Sequence, residues 1–397
     1  MQRSLKEAAA ELEARLAANT ERRFPVMGLR GAAGALMIRE MRMRLRRPIV
    51  TVTSTAPEAE ALAGEVAFFL GEAADADAAT RRVHLLRSWE VKPMAQLSPP
   101  TDAQASQLAA LFAMLRHESP LVVTSAEALM TRTIPRTVFD ESIVKVAIGD
   151  RLDLDALVEA LAACGYQRVP QTEEAGDFSV RGGIVDAFSP LYRNPIRIEF
   201  EDDLVTSIRH FDADSQRSGA ELAEATITRT RYVPPSALKD PKLRERVALR
   251  AAEIGMVRKE AAELAEALQN GLLFPGAELL MPYAYGRALD SVFDYMPADA
   301  LLWLVDPGRI LAEAGRFADT VNNETAAAAH KPAFHPAPDS LFVGAQAFER
   351  ALGNFTAAEV GSLVTMAAPR EGWAVPVEVK SQNSLRLGAN QLSAVRT

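Results

Sequence analysis

Between Gly176 and Ser218 the chain alternates apolar and polar residues with a period of two, the signature of half-buried β-strands. Phe178 and Val180 fall on one face of an extended segment, Ser179 and Arg181 on the other. Gly182-Gly183 interrupts the run, which predicts a bulge or the close approach of another backbone. Ile184-Val185 resumes it and Ser189-Pro190 ends it. Ile196, Ile198 and Phe200 then alternate with Arg197 and Glu199, an acidic turn follows at Glu201-Asp202-Asp203, and Leu204 to Phe211 reads as the returning strand. The expectation is a β-hairpin unit with charged groups on one face.

The chain before it follows another rhythm. Leu5, Ala9, Leu12 and Leu16 form one stripe of a surface helix. Phe24 to Met27 leads into a glycine-rich turn (Gly28, Gly31, Gly34) and then an apolar helix, the strand-loop-helix context of a phosphate-binding loop. The chemistry of such a loop needs a Lys for the β and γ phosphates and a Ser or Thr hydroxyl for Mg²⁺, and this chain has Gly34 and Ala35 instead. A plain glycine turn into a helix is therefore favoured over ATP binding. Further on, β runs at 49–52, 83–86 and 121–124 alternate with helical patterns at 57–70 and 102–116, which implies a mostly parallel α/β sheet.

Around Arg132 to Arg136 that pattern stops. Ile143 to Ile148 reads as a strand; Asp153 caps a helix to Ala163 with Leu154, Leu157, Val158 and Leu161 buried, and Gly165 terminates it. Cys164, the only cysteine, packs as a small hydrophobe, and a lone cysteine excludes an intrachain disulfide or a cysteine zinc cluster. After Pro234-Pro235 a long helix is predicted from Asp240 through Leu268, closed by Gly271.

The order F-S-V-R-G-G-I-V-D-A-F, then P-I-R-I-E-F-E-D-D, then S-I-R-x-F-D-x-x-S-Q-R-S resembles the second domain of the bacterial transcription-repair coupling factors, with a looser likeness to the repair protein UvrB. The resemblance, over roughly residues 20 to 350, implies that this domain docks onto UvrA, with Arg168 and Arg181 at positions of UvrA-contacting residues and Phe188 as an apolar anchor or a core residue. Read from the residues alone, the two arginines instead pair with local acids such as Glu173, Glu174 or Asp186. The segment from Ser88-Trp89-Glu90 to Pro100 resembles the same family, and the tyrosine-rich insertion that UvrB carries near here is absent from the sequence. The likeness also implies a degenerate Walker A at Gly28, Gly31, Gly34 and Ala35. Leu279 to Asp306 resembles the return into the first domain, where UvrB ends on an Asp-Glu pair; here Asp306 is followed by Pro307, a degenerate Walker B.

The implied fold class is α/β: a degenerate helicase-like parallel α/β domain (UvrB domain 1a/1b-like) with an inserted α+β domain containing an antiparallel sheet. Its boundaries are 1–135 for the first part, 136–222 for the insert, 223–350 for the return, and 351–397 for a C-terminal extension and linker. The implied function is a protein-interaction module that recruits UvrA to stalled RNA polymerase in nucleotide excision repair, with no catalytic residue and no metal or cofactor in this chain. ATP and Mg²⁺ belong to the motor of a longer parent, which would reach RNA polymerase and DNA through parts not present here. The alternative is a UvrB-type ATP-dependent helicase subunit.

A net charge of −8 argues against a broadly nucleic-acid-coating surface, leaving the run Arg39 to Arg47 as the best local basic patch or, more simply, a solvated helix face. His330 and His335 lack a third nearby ligand for a metal. The sequence has neither a signal peptide nor a run of roughly 20 apolar residues, so a cytoplasmic location without membrane contact is expected.

Overall fold

The computed structural model describes residues 4–18, 21–73, 76–331, 333–361 and 374–377. The first part alternates helix and strand: α1 (Leu5–Ala18), β1 (Arg23–Met27), α2 (Ala33–Arg44), β2 (Ile49–Thr53), α3 (Ala56–Phe69), β3 (Val83–Leu86), α4 (Thr101–Arg116) and β4 (Leu121–Ser125). Then come β5 (Val144–Ala147), β6 (Gln167–Arg168), β7 (Asp177–Arg181), β8 (Ile184–Ala187), β9 (Ile196–Glu201), β10 (Leu204–Phe211), β11 (Ser218–Glu221) and β12 (Glu224–Ile227). The chain finally supplies β13 (Leu301–Val305), β14 (Thr356–Gly361) and β15 (Val375–Pro376).

Seven of these strands make one parallel sheet in the order β15-β1-β14-β13-β2-β4-β3. Its strands read as near-continuous β-branched and apolar runs because both faces are covered. Alternate residues divide between two cores: Ile49, Leu301 and Trp303 pack with α1, α2 and α3 through Leu12, Ile38 and Val66. Val50, Val52, Leu302 and Leu304 pack on the opposite face with Leu108 and Phe112 of α4 and with Ile310 and Phe317 of the helix Pro307–Ala328. Residues 356–361, placed by the sequence in a C-terminal extension, instead supply β14, hydrogen-bonded between β1 and β13. The run Thr356 to Gly361 is short, alanine-rich and without a clean two-residue alternation, so it carries little strand signal on its own.

The insert forms a six-stranded sheet, β11-β10-β9-β8-β7-β6, antiparallel except where β6 runs parallel to β7. Phe178, Val185, Ile196, Ile198 and Ile208 line its inner face and pack on Leu157, Leu161 and Cys164 and on Val146 and Ile227 of the β5–β12 ribbon. Asp153 caps the helix Leu154–Ala163 by accepting from the Ala156 amide at 2.9 Å, as its sequence suggests.

Two local expectations change. Gly182-Gly183 is not a bulge within a strand: Arg181 pairs with Ile184, so the glycines are the two central residues of a tight turn between antiparallel β7 and β8. Gly182 supplies φ +60°, and a Cβ on Gly183 would lie 2.7 Å from the Phe200 carbonyl oxygen, so the predicted close backbone approach does occur. The single long helix expected from Asp240 to Leu268 is two helices, Pro241–Glu253 and Arg258–Asn270, with Gly255 between them at φ +65° and Gly271 ending the second at φ +64°. Gly255 broke a pattern whose apolar stripe continues on both sides.

The outer face of the insert depends on one ion pair. Ser179, Asp186, Arg197 and Arg209 stand side by side across four strands. Asp186, 1% exposed, accepts both guanidinium hydrogen bonds of Arg197 at 2.7 and 2.9 Å, and that guanidinium lies 4.6 Å from the centre of the Phe211 ring. Removing one partner of such a pair strands the other without a counter-charge, at a cost of about 3 kcal/mol. Urea denaturation of Asp186→Ala is expected to show a loss of about 3 kcal/mol, whereas Arg151→Ala, which breaks the exposed Arg151–Asp203 pair, leaves stability nearly unchanged.

Candidate functional site

The glycine turn after β1 keeps the shape of a strand-loop-helix unit, but its polar groups are turned inward. The Ala33 amide donates to the Arg30 carbonyl (3.2 Å), Gly34 to Gly31 (3.4 Å) and Leu36 to Ala32 (3.0 Å). Ala32, before the first residue of α2, offers no side-chain cap. Gly28 has φ +90°, and a Cβ there would stand 2.2 Å from the Val377 carbonyl oxygen; the Val377 amide in turn donates to Met27 at 2.8 Å. The segment through β15 therefore lies directly against the turn. Gly31 has φ +54°, while Gly34 has open space around a would-be Cβ. Ala35 is wholly buried among α1, α2 and α3, so its position points into the core and not toward a ligand.

Asp306 follows β13 in a left-handed conformation (φ +58°) and serves as N-cap of the helix Pro307–Ala328. Its Oδ1 accepts from the Arg309 amide at 3.3 Å, and its own amide donates to Val360 at 2.7 Å. The Arg309 side chain is paired with Glu58 at 2.7 Å. The carboxylate is thus engaged in holding a helix end.

On the insert, Arg168 and Arg181 are both exposed, and neither makes an ion pair among the described residues. Of the local acids, Asp186 holds Arg197 and Asp177 accepts the backbone amides of Glu173 and Glu174 at 3.3 and 3.0 Å, while the carboxylates of Glu173 and Glu174 pair with neither arginine. Arg181 donates through Nη2 to the Pro170 carbonyl at 3.1 Å, which orients the guanidinium while leaving its charge uncancelled. The register separates the two arginines. Arg168 stands opposite Phe178, a core residue, whereas Arg181 shares the other face with Ser179. By the same alternation the exposed β6 residue on Arg181's face is Gln167, opposite Asp177. Only the pairing register identifies Gln167, because nothing in its type or immediate neighbours marks it. Phe188 is half-buried just beyond β8, fixed by backbone hydrogen bonds to Asp177 (2.9 Å) and Gly176 (2.8 Å).

Among the described residues no group of three or more His, Cys, Asp or Glu is arranged to hold a metal, and no helix is long and apolar enough to cross a membrane. Burial raises the Cys164 thiol above its ordinary pKa, which keeps it protonated and in keeping with a core role.

Residues 144–232 match the family described as the UvrB interaction domain. The chain is 34% identical over 290 residues to the transcription-repair-coupling factor of Myxococcus xanthus, covering 72% of this chain and 24% of that protein. To the transcription-repair-coupling factor of Mycobacterium tuberculosis it is 30% identical over 282 residues (67% of this chain, 22% of that one), and to that of Escherichia coli 28% over 294 residues (74% and 24%). The matched stretch is about a quarter of the length of these curated relatives.

If Asp306 acts as a cap, Asp306→Ala costs about 1 kcal/mol of stability. Gly28→Ala, forced against the Val377 backbone in a left-handed conformation, is expected to cost more; thermal melts of the two variants beside the wild type read both effects.

Proposed function

This chain belongs with the transcription-repair-coupling factors and carries a UvrB interaction domain, and on that premise we propose that it is a protein-interaction module that recruits UvrA in transcription-coupled nucleotide excision repair. The observation that carries the reading is Arg181: a guanidinium at the tip of the β7–β8 hairpin, oriented by the Pro170 carbonyl, without an acidic partner among the described residues. A planar cation held ready in this way suits an acidic or carbonyl-rich partner surface, and arginines are over-represented among the residues that dominate binding energy. The buried Asp186–Arg197 pair supports it by satisfying the neighbouring charges internally. Gln167 and Phe188 lie level with Asp177 at the other end of the hairpin, about 13 Å from Arg181 along the strand, so they would extend the contact only for a partner that spans that length. Arg168, on the opposite face of the sheet, would then contribute from the edge of β6.

In this reading the parallel sheet is scaffold, and the glycine turn performs no phosphate chemistry. Contact with stalled RNA polymerase and DNA translocation would fall to parts of the relatives outside the matched quarter. The lack of Lys and Ser or Thr at Gly34 and Ala35, the buried direction of Ala35 and the capping role of Asp306 all support it.

Arg181→Glu is expected to weaken UvrA association, measured by biolayer interferometry, by at least about 30-fold, with the melting temperature unchanged because only the Pro170 hydrogen bond is lost. Wild-type affinity in that variant would remove Arg181 from the interface. Titration with a fluorescent ATP analogue and Mg²⁺ is expected to give no saturable signal at micromolar concentrations. A saturable signal lost on Gly34→Trp would instead establish the turn as a nucleotide site.

A further inference from the structure

The basic run Arg39 to Arg47 divides in two. Arg39 and Arg44 are neutralised by Glu40 and Glu13. Arg42 and Arg46 are not: they turn to the end of α2, where they line an open cleft of about 560 Å³ with Arg81, Arg82 and His117. Arg42 is partly buried, has an enclosed Nε without a hydrogen-bond partner, and is held below its ordinary pKa by desolvation and by the neighbouring Arg82. Arg46 is exposed and makes no hydrogen bond or ion pair among the described residues. Arg81 and Arg82 are anchored through backbone carbonyls, Nε of Arg81 to Ala76 (3.0 Å) and Nη1 of Arg82 to Leu70 (2.9 Å), so neither charge is cancelled by these contacts. Among the described residues Glu118 is the one acid lining the cleft, and the nearby Glu72 spends Oε2 on the amides of Arg82 and Val83.

Four guanidinium groups facing one acid form a concentration of positive charge on a chain whose net charge is −8. Self-repulsion of this kind is relieved by a bound polyanion. The other lining residues are small or polar (Ala79, Thr80, Ser119, Pro120), so the cleft has no aliphatic or aromatic anchor for a peptide and no broad ring on which an unpaired base would stack. What it offers is charge and donors, the chemistry of a phosphodiester backbone. The cleft also continues: Arg81 lines a second opening of about 410 Å³ toward Tyr192 and Arg193, and His84 and His117 meet edge to face between the two at 5.2 Å.

We propose that the cleft formed by Arg42, Arg46, Arg81 and Arg82 is a sequence-independent contact for the phosphate backbone of duplex DNA. It is separate from the Arg181 surface and does not depend on that reading. Binding is weak and salt-sensitive, because few phosphates are neutralised and the rest of the surface is acidic.

Fluorescence anisotropy of a labelled DNA duplex with the full chain, at salt from about 50 to about 150 mM, tests it. Arg46→Glu is expected to weaken binding several-fold and to reduce the slope of log affinity against log salt by about 1. Arg46→Lys retains most of the affinity, and Arg258→Glu, an exposed charge reversal on a distant helix, leaves it unchanged. Arg46 has no intramolecular partner among the described residues, so equal melting temperatures establish that the variants are folded. No duplex binding at the lowest salt, or equal loss in Arg46→Glu and Arg258→Glu, overturns the proposal. So does displacement of the duplex by poly-glutamate or inorganic phosphate as readily as by unlabelled duplex, which would make the cleft a general anion site.

Discussion

The parallel sheet is completed only by strands that arrive late in the chain. β13 fills the slot between β2 and β14, and β14 fills the slot between β13 and β1, so β1 is hydrogen-bonded into one sheet with β2, β4 and β3 only through strands beyond residue 300. Trp303, fully buried, and its neighbours Leu302 and Leu304 serve both cores at once. Closing contacts across such sequence distance is entropically costly and slow, which favours an insert able to form its own core first. The insert has one: Leu157, Phe178, Val185, Ile198 and Ile208 form a cluster distinct from the two around the parallel sheet.

Where local pattern and tertiary environment agree, the sequence was readable. Phe178 and Val180 do face the core and Ser179 and Arg181 the opposite side of the sheet, where Ser179 is covered by Thr172; Asp153 does cap its helix, and Cys164 is buried beside Gly165. Where a residue's role depends on what comes against it from far away, the sequence was silent. Nothing around residues 356–361 announces a central strand, because its alanines are selected by the closeness of β1 and β13. Gly182-Gly183 reads as a bulge when the next strand is taken as a continuation and as a turn once β8 is seen folding back. The candidate site was legible as residue types and not as faces: one position of register decides that Gln167, and not Arg168, shares the side of Arg181.

The glycine turn and Asp306 each have a place in the fold that rests on backbone geometry and helix capping alone. A turn entering a helix still needs glycine at Gly28 for the left-handed backbone and for the contact with Val377, and a helix start still profits from an acid at its first turn. Both residues therefore have structural reasons to be present that are independent of any phosphate. The arginines divide by the same logic. Arg197 is absorbed into the fabric of the sheet, while Arg42, Arg46 and Arg181 lack a carboxylate among the described residues and so carry charge outward.

β15 has a further effect on how the molecule behaves among copies of itself. Among the described residues it is two residues long, pairs with β1 through Val375 and Pro376, and includes a proline whose ring nitrogen has no hydrogen to offer. An outermost strand that brief, with a missing donor, is a poor template for a neighbouring chain to zip onto. Along these described residues the margin beside the glycine turn thus offers a neighbouring backbone one donor fewer than a strand without proline would.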